Sequence, residues 1–443
     1  MSSTSPTQVA IIGAGLSGLT LAISLHHQGI PCHIYELRDP SVRTSGALML
    51  SPNALRILNT LGLYDRLKIQ GYNFETVDYK NHDQITTDVY YLGQEKLYGY
   101  KALRIYRQTL LTELRAEAKA LQIPITYGVK FSHVVSEDES GVSFAFTNGT
   151  TESAGILVGA DGIHSTVRKY LHPNVVPKYS GMVAITCALQ RAKLHYPSGT
   201  SEATYPMPVA IYDKPGAFVM APQNVDGSKV LAGTQRAWPE QDRVGWDALL
   251  ADREGLLQLF KEGYAEWPEI VKSALDNVEL ETLSIWPYYV VPTLESWSSA
   301  NSRVTILGDA AHAIPPTAGQ GASQGFEDAF TLALVFTRIG ANGSLGEGLD
   351  AWRKYRQERV DKVIELTLQL NNARLPQAER EALEAAGKLV WQSGDSGELR
   401  WLYTADIKED ILGSIEAVMP EKEVEGQVRS TKSCWLSQHL KRK

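Results

Sequence analysis

Apolar residues along the chain follow two different spacings. Short apolar runs that end at glycine predict buried parallel strands, and apolar residues recurring every three or four positions predict helices packed on them. The first run, Val9–Ile12, is followed by a helical stretch, Leu19–Gln28, and by a second strand, Pro31–Tyr35, which together make a βαβ unit. The same spacings predict strands at 155–160 and 303–307, a strand meander at 123–135 and 142–146, and helices at 53–61, 107–121, 163–170, 324–339 and 346–370. We therefore expect an α/β protein built around a parallel sheet.

The middle of the chain has another pattern. Between residues 180 and 290, apolar and polar residues alternate over short segments separated by turns, which predicts an antiparallel sheet. Its strands are predicted at 182–188, 209–212, 217–220 and 229–234, with a packing helix at 246–262. Strand-like patches between residues 70 and 100 have no clear assignment. We expect the sheet to be inserted between two halves of the α/β domain.

Composition and charge exclude several classes of function. The chain has 443 residues, of which 43% are hydrophobic, and its net charge of −7 argues against nucleic acid or an anionic membrane as a partner. No apolar run approaches the roughly 20 residues that a spanning helix needs, so we expect no membrane span. The three cysteines, Cys32, Cys187 and Cys434, are far apart and have no metal-binding spacing. We expect a cytoplasmic protein without a metal site.

A glycine motif lies between the first strand and the first helix. In the segment 13–18, Gly13 allows a tight turn, Gly15 lets a phosphate approach the backbone, and Gly18 lets the helix pack closely on the strand. The N–H groups of the helix N-terminus then face the phosphates. Glu36 follows Gly15 by 21 residues, at the end of the second strand, where its carboxylate can accept bonds from ribose hydroxyls. This segment predicts a dinucleotide without a 2′-phosphate, either NAD or FAD.

Two further motifs follow in a fixed order, at 159–162 (Gly-Ala-Asp-Gly) and at 308–312 (Gly-Asp-Ala-Ala-His), the latter continued by Pro-Pro at 315–316 and Gly-Gln-Gly at 319–321. With them, the chain resembles the group A flavin-dependent monooxygenases of the p-hydroxybenzoate hydroxylase type over about residues 8 to 370. The resemblance implies a Rossmann-like FAD-binding domain, an inserted antiparallel-sheet substrate domain and C-terminal helices. We assign 1–70, 101–178 and 291–375 to the FAD-binding domain, 71–100 and 179–290 to the substrate domain, and 376–443 to a C-terminal helical extension.

The resemblance also implies a set of residues around non-covalent FAD. Asp309 would bind a ribityl hydroxyl. The helix that begins in the segment 319–322 would direct its N-terminal N–H groups at the flavin N1–C2=O edge. The full set of expected cofactor-binding residues is Gly13, Gly15, Gly18, Glu36, Gly46, Ala47, Arg107, Asp161, Asp309, Gly319, Gly321 and Ala322. Arg168 is expected to help Asp161 hold the segments around the cofactor. We expect Arg104 at the surface and a structural role for His312.

The activity implied by the resemblance is oxygen insertion. NAD(P)H reduces FAD, O2 adds to give a C4a-hydroperoxyflavin, and one oxygen atom passes to a substrate held in a dry pocket beside the inserted sheet. The chain looks like fungal enzymes of secondary metabolism, which suggests hydroxylation or epoxidation of an aromatic, indole or polyketide-type small molecule, with alkaloid biosynthesis included. A flavin oxidase or cyclase that inserts no oxygen, and a non-catalytic FAD-binding protein, stay open as alternatives.

Two departures from the family pattern bear on the substrate. Where many relatives carry an arginine in the first strand of the inserted sheet, this chain has Thr186, and where some carry a tyrosine before a proline it has Ala221. Without that cation and that phenol, we expect a small anionic phenol to be a poor substrate. The candidate pocket residues are Thr186, Tyr212 and Met220, although the last two may equally belong to the core.

Overall fold

The computed structural model describes residues 8–43, 46–342, 344–388, 390–391 and 397–418. Cys434 and the part of the predicted C-terminal extension from 419 onward lie outside the described residues. The strands are β1 Val9–Ile12, β2 Cys32–Glu36, β3 Ala47–Leu50, β4 Tyr72–Phe74, β5 Val77–Lys80, β6 Thr86–Tyr90, β7 Ala102–Tyr106, β8 Ile125–Tyr127, β9 Phe131–Asp138, β10 Gly141–Phe146, β11 Thr151–Ala154, β12 Ile156–Gly159, β13 Lys178–Gln190, β14 Val209–Asp213, β15 Gly216–Pro222, β16 Lys229–Ala237, β17 Ser284–Val290 and β18 Val304–Ile306.

The helices include two long ones near the C-terminal end, of which the second packs into the cores of both sheets. In chain order they are α1 Leu16–His27, α2 Pro52–Thr60, α3 Tyr64–Lys68, α4 Glu95–Tyr98, α5 Arg107–Ala120, α6 Thr166–Leu171, α7 Arg243–Ala251, α8 Arg253–Phe260, α9 Glu269–Asp276, α10 Asp309–His312, α11 Gly321–Asn342, α12 Leu345–Ala373, α13 Gln377–Ala385, α14 Arg400–Tyr403 and α15 Ile407–Val418. None of the helices within the described ranges is long and apolar enough to cross a membrane.

A five-stranded parallel sheet of order β18-β12-β1-β2-β8 forms the first layer. Its central strand β1 is fully buried because helices cover one face of the sheet and the β9–β11 meander packs on the other, which explains its uninterrupted apolar sequence. The prediction that β8 belongs to a meander is wrong: β8 pairs in parallel with β2, and only β9, β10 and β11 form the meander. The parallel order brings the ends of β1, β12 and β18 to one edge, and with them the three motifs.

A seven-stranded sheet of order β17-β13-β16-β15-β14-β5-β6 forms the second layer. Adjacent strands of this sheet are antiparallel, except for β14 and β5, which are parallel. The strands of the unassigned region divide between sheets, since β5 and β6 lie at this edge and β4 joins β3 and β7. Helices α8 and α9 cover one face. The helix predicted at 246–262 is interrupted, because Asp252 ends α7 and caps α8 by accepting the Gly255 N–H at 2.9 Å.

The other face of this sheet packs against an aromatic cluster. We use this name for Tyr79, Tyr90, Tyr98, Tyr212, Trp391 and Tyr403. Leucines of α12 pack into the cluster, and the hydroxyl groups of Tyr90 and Tyr403 lie 3.0 Å apart. Residues of the inserted sheet, of α12 and of α14 therefore share one core. Helix α15 packs on the first layer instead, through Ile407, Ile411 and Ile415.

Candidate active site

The first glycine motif separates two functions. A Cβ atom on Gly13 would lie 2.5 Å from the Ala160 carbonyl oxygen, and one on Gly18 would lie 2.0 Å from the Gly13 carbonyl oxygen. These two glycines therefore bring backbone segments together. At Gly15, which caps α1, a Cβ would meet no atom within 4 Å. The space beside Gly15 is thus open at a helix N-terminus, as phosphate binding requires. Helix α1 begins at Leu16, earlier than predicted, because the second half of the motif is already helical.

Glu36 is tied to the same motif. Its Oε2 accepts the Ala14 N–H at 2.6 Å, and its Oε1 accepts the Arg38 N–H at 2.7 Å. The carboxylate is therefore held at the end of β2, next to the glycine turn. This is the position from which an acid reaches a ribose.

The second motif connects β12 to the third motif. Asp161 Oδ2 accepts the N–H groups of Thr166 at 2.7 Å and Val167 at 3.2 Å, whereas its Oδ1 is buried and has no partner among the described residues. Burial raises the pKa of this carboxyl, although its hydrogen bonds oppose the shift. Arg168 is buried and donates to the Ala310 carbonyl at 2.9 Å. The two motifs are therefore joined by a buried guanidinium.

The third motif faces the start of β3, where Gly46 and Ala47 lie. Asp309 is exposed and begins α10, three residues after the end of β18 at Ile306. The Arg107 N–H donates to the Gly46 carbonyl at 3.0 Å. Burial lowers the pKa of Arg107, and the Asp309 carboxylate opposes this shift, so the two charges are close enough to interact. Gly46, Arg107 and Asp309 thus converge.

Helix α11 opens toward β3. Gly319 has a φ of 66°, a conformation that other residues rarely adopt, and a Cβ there would displace the Met49 side chain, whose Cε would lie 2.1 Å away. At Gly321, the first residue of α11, a Cβ would meet no atom within 4 Å, and Ala322 is half-buried. The structure therefore leaves space at this helix N-terminus as well.

Because β3 and β7 are paired, Arg104 lies opposite Met49 and is half-buried, so the prediction that it is a surface residue is wrong.

A buried ionic network supports the third motif from behind. Arg356 is fully buried and donates to Glu327 and, at 2.7 Å, to Asp328, while Arg359 donates to Glu327 at 2.8 Å. His312 lies 2.5 Å from Asp328, which also accepts the Gly308 N–H at 2.8 Å. Burial opposes ionisation, but the opposite charges outweigh it and lower the pKa of both carboxyls to about 2.

Sequence reasoning missed this network. The two acids follow the third motif closely in the sequence, and the two arginines belong to a predicted helix rich in charged residues, so neither pattern alone indicates an ion pair. The spacing of Arg356 and Arg359 was the available signal, since it places both on one side of α12. That side faces α11, so the two long helices are held together by ion pairs and not by apolar contacts alone.

The pocket candidates lie on different faces of the seven-stranded sheet. Val183, Ile185 and Cys187 point into the core under α8 and α9, so Thr186, which alternates with them, faces the opposite side. Tyr212 shares that side with Thr186 and joins the aromatic cluster. Met220 is fully buried in the helix-covered core, so the prediction that it lines the same pocket is wrong. Strand alternation explains this result.

A polar cluster that the sequence did not reveal lies beside Thr186 and Tyr212. Gln235 Nε2 is 3.3 Å from the hydroxyl oxygens of Tyr288 and Thr317 and from the Asn371 Oδ1. Thr317 follows the Pro-Pro segment of the third motif, and Asn371 belongs to the last turn of α12. Arg374 ends that helix and is half-buried. The cluster therefore lies where the sheet, the third motif and α12 meet.

Comparison with known proteins agrees with this arrangement. A family model described as an FAD binding domain matches residues 6–367. The chain belongs to the FAD-dependent monooxygenase family. It is 29% identical to the hispidin-3-hydroxylase of Neonothopanus nambi, over 80% of this chain and 86% of that protein. It is 27% identical to the 6-methylsalicylate 1-monooxygenase of Aspergillus terreus, over 96% and 95% of the two chains, and 30% identical to a 3-amino-4-hydroxybenzoate 2-monooxygenase of Streptomyces platensis, over 81% and 85%.

Solved structures match the fold of this family member. A salicylate hydroxylase substrate complex and CtdE in complex with FAD and its substrate each superpose with a TM-score of 0.73 at 20% identity, over 93% of this chain and 98% of theirs. The predicted fold class and family are therefore confirmed, and the protein is an FAD-dependent oxidoreductase. No group of three or more potential metal-ligating side chains occurs in the part of the chain that the structure describes.

Proposed function

We propose that this protein uses NAD(P)H and O2 to hydroxylate or epoxidise a hydroxyl-bearing aromatic molecule, of indole or polyketide type, in secondary metabolism. The relatives support a hydroxylated aromatic substrate, because they are named for hispidin, 6-methylsalicylate and 3-amino-4-hydroxybenzoate. FAD, when bound, supplies the activation of oxygen, and the C4a-hydroperoxyflavin route that the resemblance implies is part of this proposal.

The observation that carries the proposal is that a cofactor edge and a substrate face oppose each other. The three motifs meet at one edge of the parallel sheet, where Gly15 and Gly321 leave open space at two helix N-termini. The half-buried face of the inserted sheet meets the third motif at Gln235 and Thr317. A flavin held at this edge would therefore lie next to a molecule bound on that face.

The residues present fit FAD, and each has a defined task in the proposal. Gly15 would receive the pyrophosphate, at the turn that Gly13 and Gly18 pack closely against the neighbouring backbone, and Glu36 would bind the adenosine ribose. The remaining contacts would come from Arg107 and Asp309 on the phosphate and ribityl parts, from Gly46 and Ala47 along the ring, and from Gly319, Gly321 and Ala322 at the pyrimidine edge. Asp161 would position the second motif. The Arg107 cation and the backbone N–H groups at the helix N-termini suit the anionic phosphates of FAD. The carboxylates of Glu36 and Asp309 suit its hydroxyl groups.

The chain's own part in catalysis is to orient the substrate and to exclude water. The aromatic cluster and the apolar side of α12 cover the sheet face on which Tyr212 lies, so a bound molecule would be shielded. Shielding from water matters because activated oxygen that is released before it reaches the substrate wastes the NAD(P)H that was consumed to form it. Thr186 and Tyr212 would line this side of the pocket.

Isotope labelling tests the proposal. The FAD-loaded protein should oxidise NAD(P)H faster when a substrate is present, and product formed under 18O2 should contain one labelled atom. NAD(P)H oxidation with unlabelled product would indicate an oxidase or cyclase. Protein that binds FAD but oxidises no NAD(P)H with any of a broad set of hydroxylated aromatics would indicate a non-catalytic flavoprotein.

A further inference from the structure

Arg374 is held against the substrate side of the inserted sheet by the backbone. Its carbonyl accepts the Ala217 N–H at 3.2 Å, and a Cβ on Gly216 would lie 3.0 Å from the same oxygen. Gly216 has a φ of 124°, a conformation that other residues rarely adopt. This glycine therefore lets the end of α12 approach β15, on the side of the sheet where Tyr212 lies.

The Arg374 guanidinium has unused hydrogen-bonding capacity. It donates to the Tyr212 hydroxyl, which leaves further N–H groups of the guanidinium available, and no carboxylate of the described residues forms an ion pair with it. Its charge acts on the phenols of Tyr79, Tyr212 and Tyr288, where it opposes the rise in pKa that burial causes. A guanidinium in such surroundings attracts an anionic oxygen.

Gln235 supplies the complementary group. Its side chain is 9% exposed, and while Nε2 has three oxygen atoms within reach, Oε1 is buried and has no partner among the described residues. Tyr288 links the two residues, because its hydroxyl bonds to Gln235 and responds to the charge of Arg374. On one side of the inserted sheet, the cluster therefore offers an unsatisfied acceptor and a guanidinium that has no carboxylate partner among the described residues.

Buried amide oxygens are rarely left unpaired in a folded protein, so a bound molecule is the natural partner of Gln235 Oε1, and the Arg374 charge, which has no carboxylate partner among the described residues, would attract an acidic oxygen of the same molecule. We propose that Arg374 and Gln235 determine substrate specificity: Arg374 binds an acidic oxygen of an aromatic substrate, and Gln235 Oε1 accepts a hydrogen bond from its hydroxyl group. This inference rests on the proposed function for its site. An anionic phenol is then no longer disfavoured by threonine at position 186, because Arg374 at the end of α12 supplies the positive charge that the first strand of the inserted sheet lacks.

Ligand binding to the FAD-loaded protein, without NAD(P)H, tests this assignment. The probes are matched pairs of one-ring and two-ring hydroxylated aromatics, such as 2-hydroxybenzoate with 2-hydroxybenzamide, and benzoate as the analogue without a hydroxyl group. The change in flavin absorbance measures each dissociation constant. We expect acids to bind about tenfold or more tightly than their amides, in line with one hydrogen bond to a charged group.

The variants separate the two contacts. Arg374→Met should remove the preference for acid over amide, and Arg374→Lys should restore part of it. Gln235→Leu should remove the preference for 2-hydroxybenzoate over benzoate while keeping that for acid over amide. Lys354→Met, which removes an exposed charge from the same helix, is the matched control and should change neither preference.

Two results would overturn the assignment. One is a wild-type protein in which no acid of the panel binds more tightly than its amide. The other is an acid preference that survives in Arg374→Met when near-ultraviolet circular dichroism shows that the variant is folded. Because no turnover is involved, either result is distinguishable from a failure of the proposed oxygen insertion, which the 18O2 experiment reports.

Discussion

The edge of the parallel sheet where we propose that FAD binds (the cofactor edge) and the face of the inserted sheet where we propose that the substrate binds (the substrate face) are built in opposite ways. The edge is formed mainly by glycines and backbone N–H groups from three short continuous motifs. On the face, side chains come from β13, β14, β16 and α12, and Thr186 of β13 and Asn371 of α12 are 185 positions apart in the sequence. A site made of backbone tolerates few changes, whereas a site made of separate side chains can be altered one residue at a time. The comparison explains how one cofactor site can be combined with many substrates.

The largest expected effect tests what holds the two regions together. Arg356→Met would leave the buried carboxylates of Glu327 and Asp328 with less positive charge to balance them. We therefore expect a loss of about 3–5 kcal/mol in the free energy of unfolding. Chemical denaturation measures it. Lys354→Met on the same helix should change stability by less than about 0.5 kcal/mol, since the side chain is exposed.

The same network predicts a dependence on acid. The pKa values of Glu327 and Asp328 are lowered to about 2, below their values in an unfolded chain, so their contribution to stability is complete above those unfolded values and is lost as the pH falls toward 2. Arg356→Met should lose less stability than the wild type between pH 5 and pH 3. An equal loss in both proteins would contradict the assignment of the shift to these ion pairs.

Removing one acid at the cofactor edge should weaken FAD binding. Glu36→Ala and Asp309→Ala each delete a charged hydrogen-bond acceptor, with an expected cost of about 1.5–3 kcal/mol in FAD affinity. Fluorescence titration of the apoprotein with FAD measures it. Glu152→Ala, on the exposed strand β11, is the control. Full affinity in both variants would show that the cofactor does not lie at this edge.

Two glycines of one motif should respond differently. Gly18→Ala places a Cβ 2.0 Å from a backbone oxygen, so the apoprotein should lose about 1–3 kcal/mol of stability. Gly15→Ala meets no protein atom within 4 Å, so the apoprotein should keep its stability while FAD affinity falls. Thermal unfolding of the apoproteins, followed by FAD titration, separates the two effects. Similar losses of stability in both would contradict the division of roles.

The smallest effect is expected on the substrate face. Thr186→Arg brings a second cation to the side where Tyr212 lies, and a neutral substrate should then bind more weakly or be oxidised with poorer coupling, by several-fold, while FAD stays bound. The ratio of product formed to NAD(P)H consumed measures coupling. Unchanged coupling and affinity would mean that Thr186 does not line the pocket.

Local sequence determined the cofactor edge. The glycine motif, Glu36 and the Gly-Asp segment at 308–309 are short patterns whose function depends on backbone conformation, and the strands before them are continuous apolar runs. Such features act over a few residues, so β1 and α5 could be predicted closely. The ends of helices were less certain, as at α1, because a motif can be helical without apolar periodicity.

Tertiary structure alone decided the substrate face and the network behind the motifs. Met220 and Tyr212 look alike in an apolar strand, but pleating places them on opposite sides of the sheet. Arg356 and Arg374 look like surface charges on a polar helix until α12 is packed against α11 and β15. Sequence spacing reports which residues share an element, whereas the partner of a buried charge depends on how distant elements pack, and no local pattern records that.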